Sequence, residues 1–182
     1  MYQRLELPRD QGPQRFYAAL AEALRHALEG ERDWIANLAN TAALLADQLD
    51  ELNWVGFYLL RRRSAQGTGR DGEAAAELVV GPFQGKPACT RIALGRGVCG
   101  TAALQRRSVV VPDVHAFPGH IACDAASRSE LVVPMITPEG RLAGVLDLDS
   151  PRPSRFTEDD ARGLETVVAT LLASSDLPPA GL

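Results

Sequence analysis

Apolar positions recur with a helical period in two consecutive segments near the start of the chain. Phe16, Ala19, Leu20, Ala23, Leu24, Ala27 and Leu28 fall three and four apart, which predicts an amphipathic helix over 16–30 closed by Gly30. Ile35, Leu38, Ala42, Leu45 and Leu49 repeat the spacing and predict a second helix over 33–52. At Trp54 the period changes. WVGFYLL, 54–60, is aromatic and β-branched and reads as a strand, as does the similar run over 78–83. The intervening 61–77 is rich in Gly, Ser and charge, so it is expected to be a long, flexible hairpin connection. Its Arg61-Arg62-Arg63 run reads as a solvated hairpin end.

Further strands are expected over 89–93, 109–111, 131–137 and 142–148, the last two joined by the turn-forming Pro138-Glu139-Gly140. GVCGTAALQ, 97–105, opens with glycine and predicts a short helix. Thr157 followed by Glu158, Asp159 and Asp160 places an N-cap and an acidic first turn before a helix through Leu164, Val167, Val168 and Leu171. Two helices, about six mostly antiparallel strands and a final helix predict an α+β fold, with the terminal helices on one face of a central sheet.

Length and charge narrow the function classes. The 182 residues fit one domain spanning 1–182, with a core over about 16–172 and a frayed tail over 176–182. A net charge of −4 argues against a nucleic-acid partner, because phosphate neutralisation needs a basic face. No leader or apolar run of membrane length is visible, so the expected setting is the reducing cytoplasm, with no membrane partner.

Against that setting the three cysteines stand out. Cys89 and Cys99 lie in GPFQGKPACTRIALGRGVCGTA (81–102), and Cys123 in DVHAFPGHIACDAASRSELVVP (113–134). A structural cysteine behaves as a small hydrophobe among Val, Ile and Leu. These instead sit among Gly, Pro, His, Asp and Ser, where thiol chemistry or metal ligation is expected. Cys99, close to a helix start, is a candidate for a lowered pKa. Metal ligation fits less well, since nine residues separate Cys89 from Cys99 and four separate His115 from His120, and neither spacing is a compact zinc motif. No metal and no cofactor is expected. His26 reads as a helix-surface residue.

The acids form a second pattern. Asp147 and Asp149 alternate with leucines in VLDLDS, so both carboxylates leave the same face of one strand. That face is either solvated or turned to a pocket, and the apolar Gly144-Val145-Leu146 beside it favours a central strand. Paired acids need a counter-charge. The ammonium of a free amino acid supplies one, whereas the same nitrogen in a peptide is an uncharged amide. Trp54 and Tyr58, four apart in a strand, also share a face.

Taken in order, NWVGFYLL, LVVGPFQGKPACTRI, GRGVCGTA, DVHAFPGHIACDAASRSELVVP, GVLDLDSP and RFTEDD resemble the single-domain GAF proteins of the free methionine-(R)-sulfoxide reductase family. The resemblance runs from about Phe16 to Leu172. It implies a six-stranded antiparallel GAF sheet, a ligand pocket beneath the cysteine loops, a homodimer through the terminal helices, and recycling by thioredoxin. It makes Cys123 the nucleophile, Cys89 the resolving thiol, and Glu130 a third carboxylate. Cys99 stays open as an alternative resolving thiol or nucleophile. Trp54 and Tyr58 become pocket walls, with core packing an equal reading for Tyr58, and His120 a residue that orients the loop or favours the Cys123 thiolate. The 61–77 connection and the 138–140 turn are longer than is usual in the family, both in places remote from the chemistry.

Sulfoxide reduction requires a thiolate to attack sulfur while the oxygen takes up a proton, leaving an enzyme sulfenic acid that a second thiol converts to a disulfide. Glu130, near two other acids, is expected to be protonated and to serve the oxygen. Two readings compete. One is a non-catalytic GAF module that senses a small ligand or redox state. The other is a thiol peroxidase or redox switch using the same sulfenic acid.

Overall fold

A computed structural model of the chain describes residues 5–62, 76–121 and 124–178. Six strands, β1 (Trp54–Arg62), β2 (Ala76–Gly85), β3 (Arg91–Ala93), β4 (Val109–Val111), β5 (Ser129–Ile136) and β6 (Leu142–Ser150), pair antiparallel in the order β3-β2-β1-β6-β5-β4. Helices α1 (Pro13–Ala27), α2 (Trp34–Gln48) and α4 (Glu158–Ala173) cover one face, and α3 (Gly97–Gln105) lies against the other.

The two-residue period of the central strands builds both layers. Val55, Phe57 and Leu59 of β1, with Leu146 and Leu148 of β6, turn toward α1, α2 and α4. The alternate residues Trp54, Tyr58 and Val145 turn toward α3. The α+β expectation and the strand number therefore hold, but the short helix has its own face. Its burial explains why: Val98, Cys99, Ala102 and Ala103 are nearly inaccessible, and they cover a second apolar cluster.

Local chemistry sets the helix ends. Asp33 caps α2, its carboxylate accepting from the Ala36 N–H at 2.9 Å. Thr157 and Asp160 form a reciprocal capping box on α4, as their spacing predicts. Such a cap is worth about 1 kcal/mol. Helices α1 and α4 approach closely at Gly163, where an added Cβ would lie 2.1 Å from Cγ of Tyr17. The Tyr17 hydroxyl donates to Asp160 Oδ1 at 2.7 Å, tying the same two helices together.

Several boundaries differ from expectation. The second helix ends at Gln48, not 52, because Leu49 is already extended and Glu51 adopts φ 64° in the turn toward β1. Strand β3 starts at Arg91 rather than Cys89, since Gly85 (φ 131°) and Pro87 break the extended chain before it. Arg61 and Arg62 continue β1 opposite Glu77 and Ala76, so they are ladder residues, and Arg61 stacks over the Trp34 ring at 5.3 Å. The remainder of the long connection, 63–75, lies outside the described residues. No helix among those described is long and apolar enough to cross a membrane.

Candidate functional site

Three carboxylates meet on the α3 side of the sheet because of strand register. Asp149 stands opposite Glu130 of β5 and opposite Trp54 of β1. Asp147, two residues back on β6, faces Val132 and Gly56. The pairing of β5 with β6 slips by one residue between Met135 and Ile136. Without that bulge Glu130 would stand opposite Leu148 and belong to the other face.

Above this floor α3 inserts Cys99, whose Sγ lies 4.0 Å from Glu130 Oε1. The donor atoms of Cys99, Glu130 and Asp147 all lie within 4.8 Å of one another, and the three residues are 4–6% exposed. His120 Nε2 stands 3.5 Å from Glu130 Oε2. One oxygen of Asp147, Oδ1, is buried with no hydrogen-bond partner. His115 sits on a short 3-10 turn (Val114–Ala116) and does not line the pocket, while His26 lies on the α1 surface beside Glu22.

Burial dominates the electrostatics. It is the largest influence raising the Glu130 and Asp147 carboxyls well above their ordinary range, with the Asp149 charge adding to it. Asp149 rises to about 6, again mainly by burial, opposed by a hydrogen bond from Ser127 and by the charge of His120. Cys99 does not behave as its helix position suggests. Burial, then Asp147 and Glu130, push its thiol well above the usual value. A helix N-terminus offers about 0.3–1 kcal/mol, up to about 2. Full burial works against the charged form by roughly 4–7 kcal/mol. The lowered pKa expected of Cys99 is therefore corrected: among these acids it is a neutral thiol.

Trp54 and Tyr58 form the aromatic wall. Their rings stack at 5.8 Å, Trp54 stacks on Phe83 at 5.3 Å, and the indole N–H donates to the Lys86 carbonyl at 3.2 Å. Gly56 makes room for this arrangement, since a Cβ there would lie 2.3 Å from Phe83 Cβ and 2.7 Å from Trp54 Cη2. Tyr58 both lines the pocket and packs in the α3-side cluster, so its two readings are compatible.

The pocket is a small cavity of about 30 Å³ between two loops. Lys86 of one pairs with Asp124 of the other at 3.1 Å, and Asn53 Nδ2 donates to Asp124 Oδ2 and Ser127 Oγ at 3.2 and 3.0 Å. Sequence reasoning missed Lys86, Asn53, Asp124 and Ser127. Lys86 and Asp124, each within three residues of a cysteine, offered a signal in their opposite charges. Cys89 is half-buried in the Lys86 loop and disulfide-bonded, and its neighbours Pro87 and Ala88 line the pocket. The nucleophile expected at Cys123 lies outside the described residues, while Ile121 and Asp124 on either side of it line the pocket.

Residues 13–175 match the GAF domain model. The chain is 47% identical over 164 residues to the free methionine-R-sulfoxide reductase of Escherichia coli, covering 88% of this chain and 91% of that protein. It superposes on the free methionine-R-sulfoxide reductase of Neisseria meningitidis, solved in complex with its substrate, with TM-score 0.74 and 45% identity over 87% of each chain. Reduced fRMsr of Staphylococcus aureus gives TM-score 0.77 and 42% identity, covering 96% of this chain and 99% of that one.

Proposed function

The chain belongs to the GAF family, in its free methionine-R-sulfoxide reductase branch, and on that premise we propose that its pocket reduces free L-methionine-(R)-sulfoxide to L-methionine. The observation that carries this reading is the buried acidic floor. Asp147, Asp149 and Glu130 face a pocket walled by Trp54 and Tyr58, which suits an ammonium at one end and an apolar methyl group at the other.

Cys123 is the nucleophile of this mechanism. Its thiolate attacks the sulfoxide sulfur while Glu130, kept protonated by burial, gives a proton to the oxygen. The substrate S–O bond breaks as the oxygen passes to Cys123, leaving methionine and a Cys123 sulfenic acid, so the substrate sulfur gains the two electrons lost by the Cys123 sulfur. Cys89 then attacks that sulfur, water departs, and an intramolecular disulfide remains. The disulfide-bonded state of Cys89 supports its resolving role. Thioredoxin, a dithiol reductant in the cytoplasm, restores both thiols. Cys99, buried and pushed toward the neutral thiol, packs the floor and does not resolve. A homodimer contact through the terminal helices is consistent with the exposed Ile35 on neighbouring α2.

The test is turnover of each epimer with dithiothreitol, alongside N-acetyl-methionine-(R)-sulfoxide, in which the ammonium is replaced by an amide. Only the free (R) epimer should be reduced efficiently. Equal rates for the acetylated substrate would remove the role given to Asp147 and Asp149. No reduction of either epimer would leave a ligand-sensing module.

A further inference from the structure

Cys99, Glu130 and Asp147 come from three separate elements, α3, β5 and β6, yet their donor atoms converge within 4.8 Å. His120 Nε2 stands 3.5 Å from Glu130 Oε2, outside that set of three. We propose that this cluster binds a divalent cation of the Zn²⁺ class, and that the cation and the substrate's ammonium exclude one another. The exclusion rests on the reading of the pocket as an ammonium site.

The donor set selects the ion. A thiolate and two carboxylates suit Zn²⁺, which accepts S, N and O ligands and can leave its fourth tetrahedral position to water, whereas Mg²⁺ prefers six oxygens and keeps its waters. Tetrahedral bonds of about 2.0–2.3 Å set neighbouring donors roughly 3.5 Å apart. The Cys99–Glu130 separation is 4.0 Å and the other pairs of the three lie within 4.8 Å, so the donors need contract by about 1.3 Å at most. An independent pointer is Asp147 Oδ1, a buried acceptor without a partner on a residue 6% exposed that lines this cavity. Binding moves no electrons. It forms metal–ligand bonds and releases the Cys99 proton, with any held by the carboxyls, to solvent. The three ligating residues sit on different elements, so no Cys/His spacing announces them.

The experiment uses the Cys89→Ser/Cys123→Ser double variant, in which Cys99 is the remaining thiol of the chain's three. Cd²⁺ is titrated while sulfur-to-cadmium absorption in the ultraviolet is followed, and Zn²⁺ affinity is measured by competition with a chromophoric chelator. One equivalent of Cd²⁺ should raise the band, and Zn²⁺ should suppress it. Asp147→Asn leaves the thiol in place and should weaken Zn²⁺ by more than about tenfold, the low end of what even outer-shell partners contribute. Cys99→Ser should weaken it similarly, with circular dichroism checking the fold of each variant. Free L-methionine-(R)-sulfoxide should displace the metal. Absence of the band, a Zn²⁺ affinity indifferent to Asp147→Asn, or a metal that excess sulfoxide fails to displace would each overturn the proposal. Metal displaced by sulfoxide in the double variant, from a wild-type protein that reduces no sulfoxide, would support the cation site and sink the reductase reading alone.

Discussion

The residues given chemical roles should fail in distinct ways. Cys123→Ser should abolish methionine formation even in a single turnover, whereas Cys89→Ser should release about one equivalent and then recycle poorly with thioredoxin. Stoichiometric methionine from the Cys123→Ser protein, measured by quenched-flow chromatography, would move the nucleophile to Cys99. The acids separate in the same manner. Glu130→Gln removes the transferable proton and should slow the chemical step by about 10²- to 10⁴-fold. On the proposed reading, Asp149→Asn removes a charge facing the ammonium in ground and transition states alike, so KM should rise with kcat little changed. A near-normal single-turnover rate for Glu130→Gln would assign the proton to another donor. Asp147 and Asp149 were legible in the sequence because alternation in a strand is a local property. The state of Cys99 was not. Its place near a helix start in GRGVCGTA suggests a lowered pKa, and only the sheet beneath it supplies the burial and the two acids that raise it.

At the scale of elements, the contact between α1 and α4 sets propensity against packing. Gly163→Ala improves helix propensity by about 1 kcal/mol. It also places a Cβ 2.1 Å from the Tyr17 ring, and overpacking of this kind costs about 1–3 kcal/mol. Packing should win, lowering the calorimetric Tm, and an unchanged or higher Tm would show that Tyr17 moves aside freely. Element types were readable along most of the chain. The 97–105 helix and the 109–111 strand fall where their patterns place them, because Gly-rich starts and β-branched runs are local signals. Which face α3 covers was not readable, since GVCGTAALQ is apolar nearly all round and carries no directional stripe.

For the whole molecule, the acidic floor is a cost of folding without ligand. Asp149 titrates near 6 in the folded chain against 3.8 as an ordinary aspartate, and Glu130 and Asp147 are raised as well. A raised carboxyl pKa means the folded state holds its proton more tightly. The associated stability is fully present below about pH 4 and is lost as pH rises through 6. Asp149 alone should make the substrate-free protein about 1–1.5 kcal/mol more stable at pH 5 than at pH 7.5, a shift of a few degrees in Tm for a chain of this length. Asp149→Asn should flatten that slope. A wild-type Tm that falls on acidification from pH 7.5 to 5 would contradict the assignment. Substrate affinity should run the opposite way, weakening below pH 6 as the charge facing the ammonium disappears.

The slip between Met135 and Ile136 gives strand pairing something like a reading frame. One residue more or fewer in the hairpin over 136–142 changes the frame of everything upstream on β5, and Glu130 changes sides with it. The acidic triad is thus encoded partly by chain length at a turn far along the strand from the pocket. Among relatives of this chain, a single-residue insertion or deletion there should be paired with a compensating bulge, or else with loss of the glutamate. Substitutions in the turn leave that frame alone, whereas its residue count helps to set it.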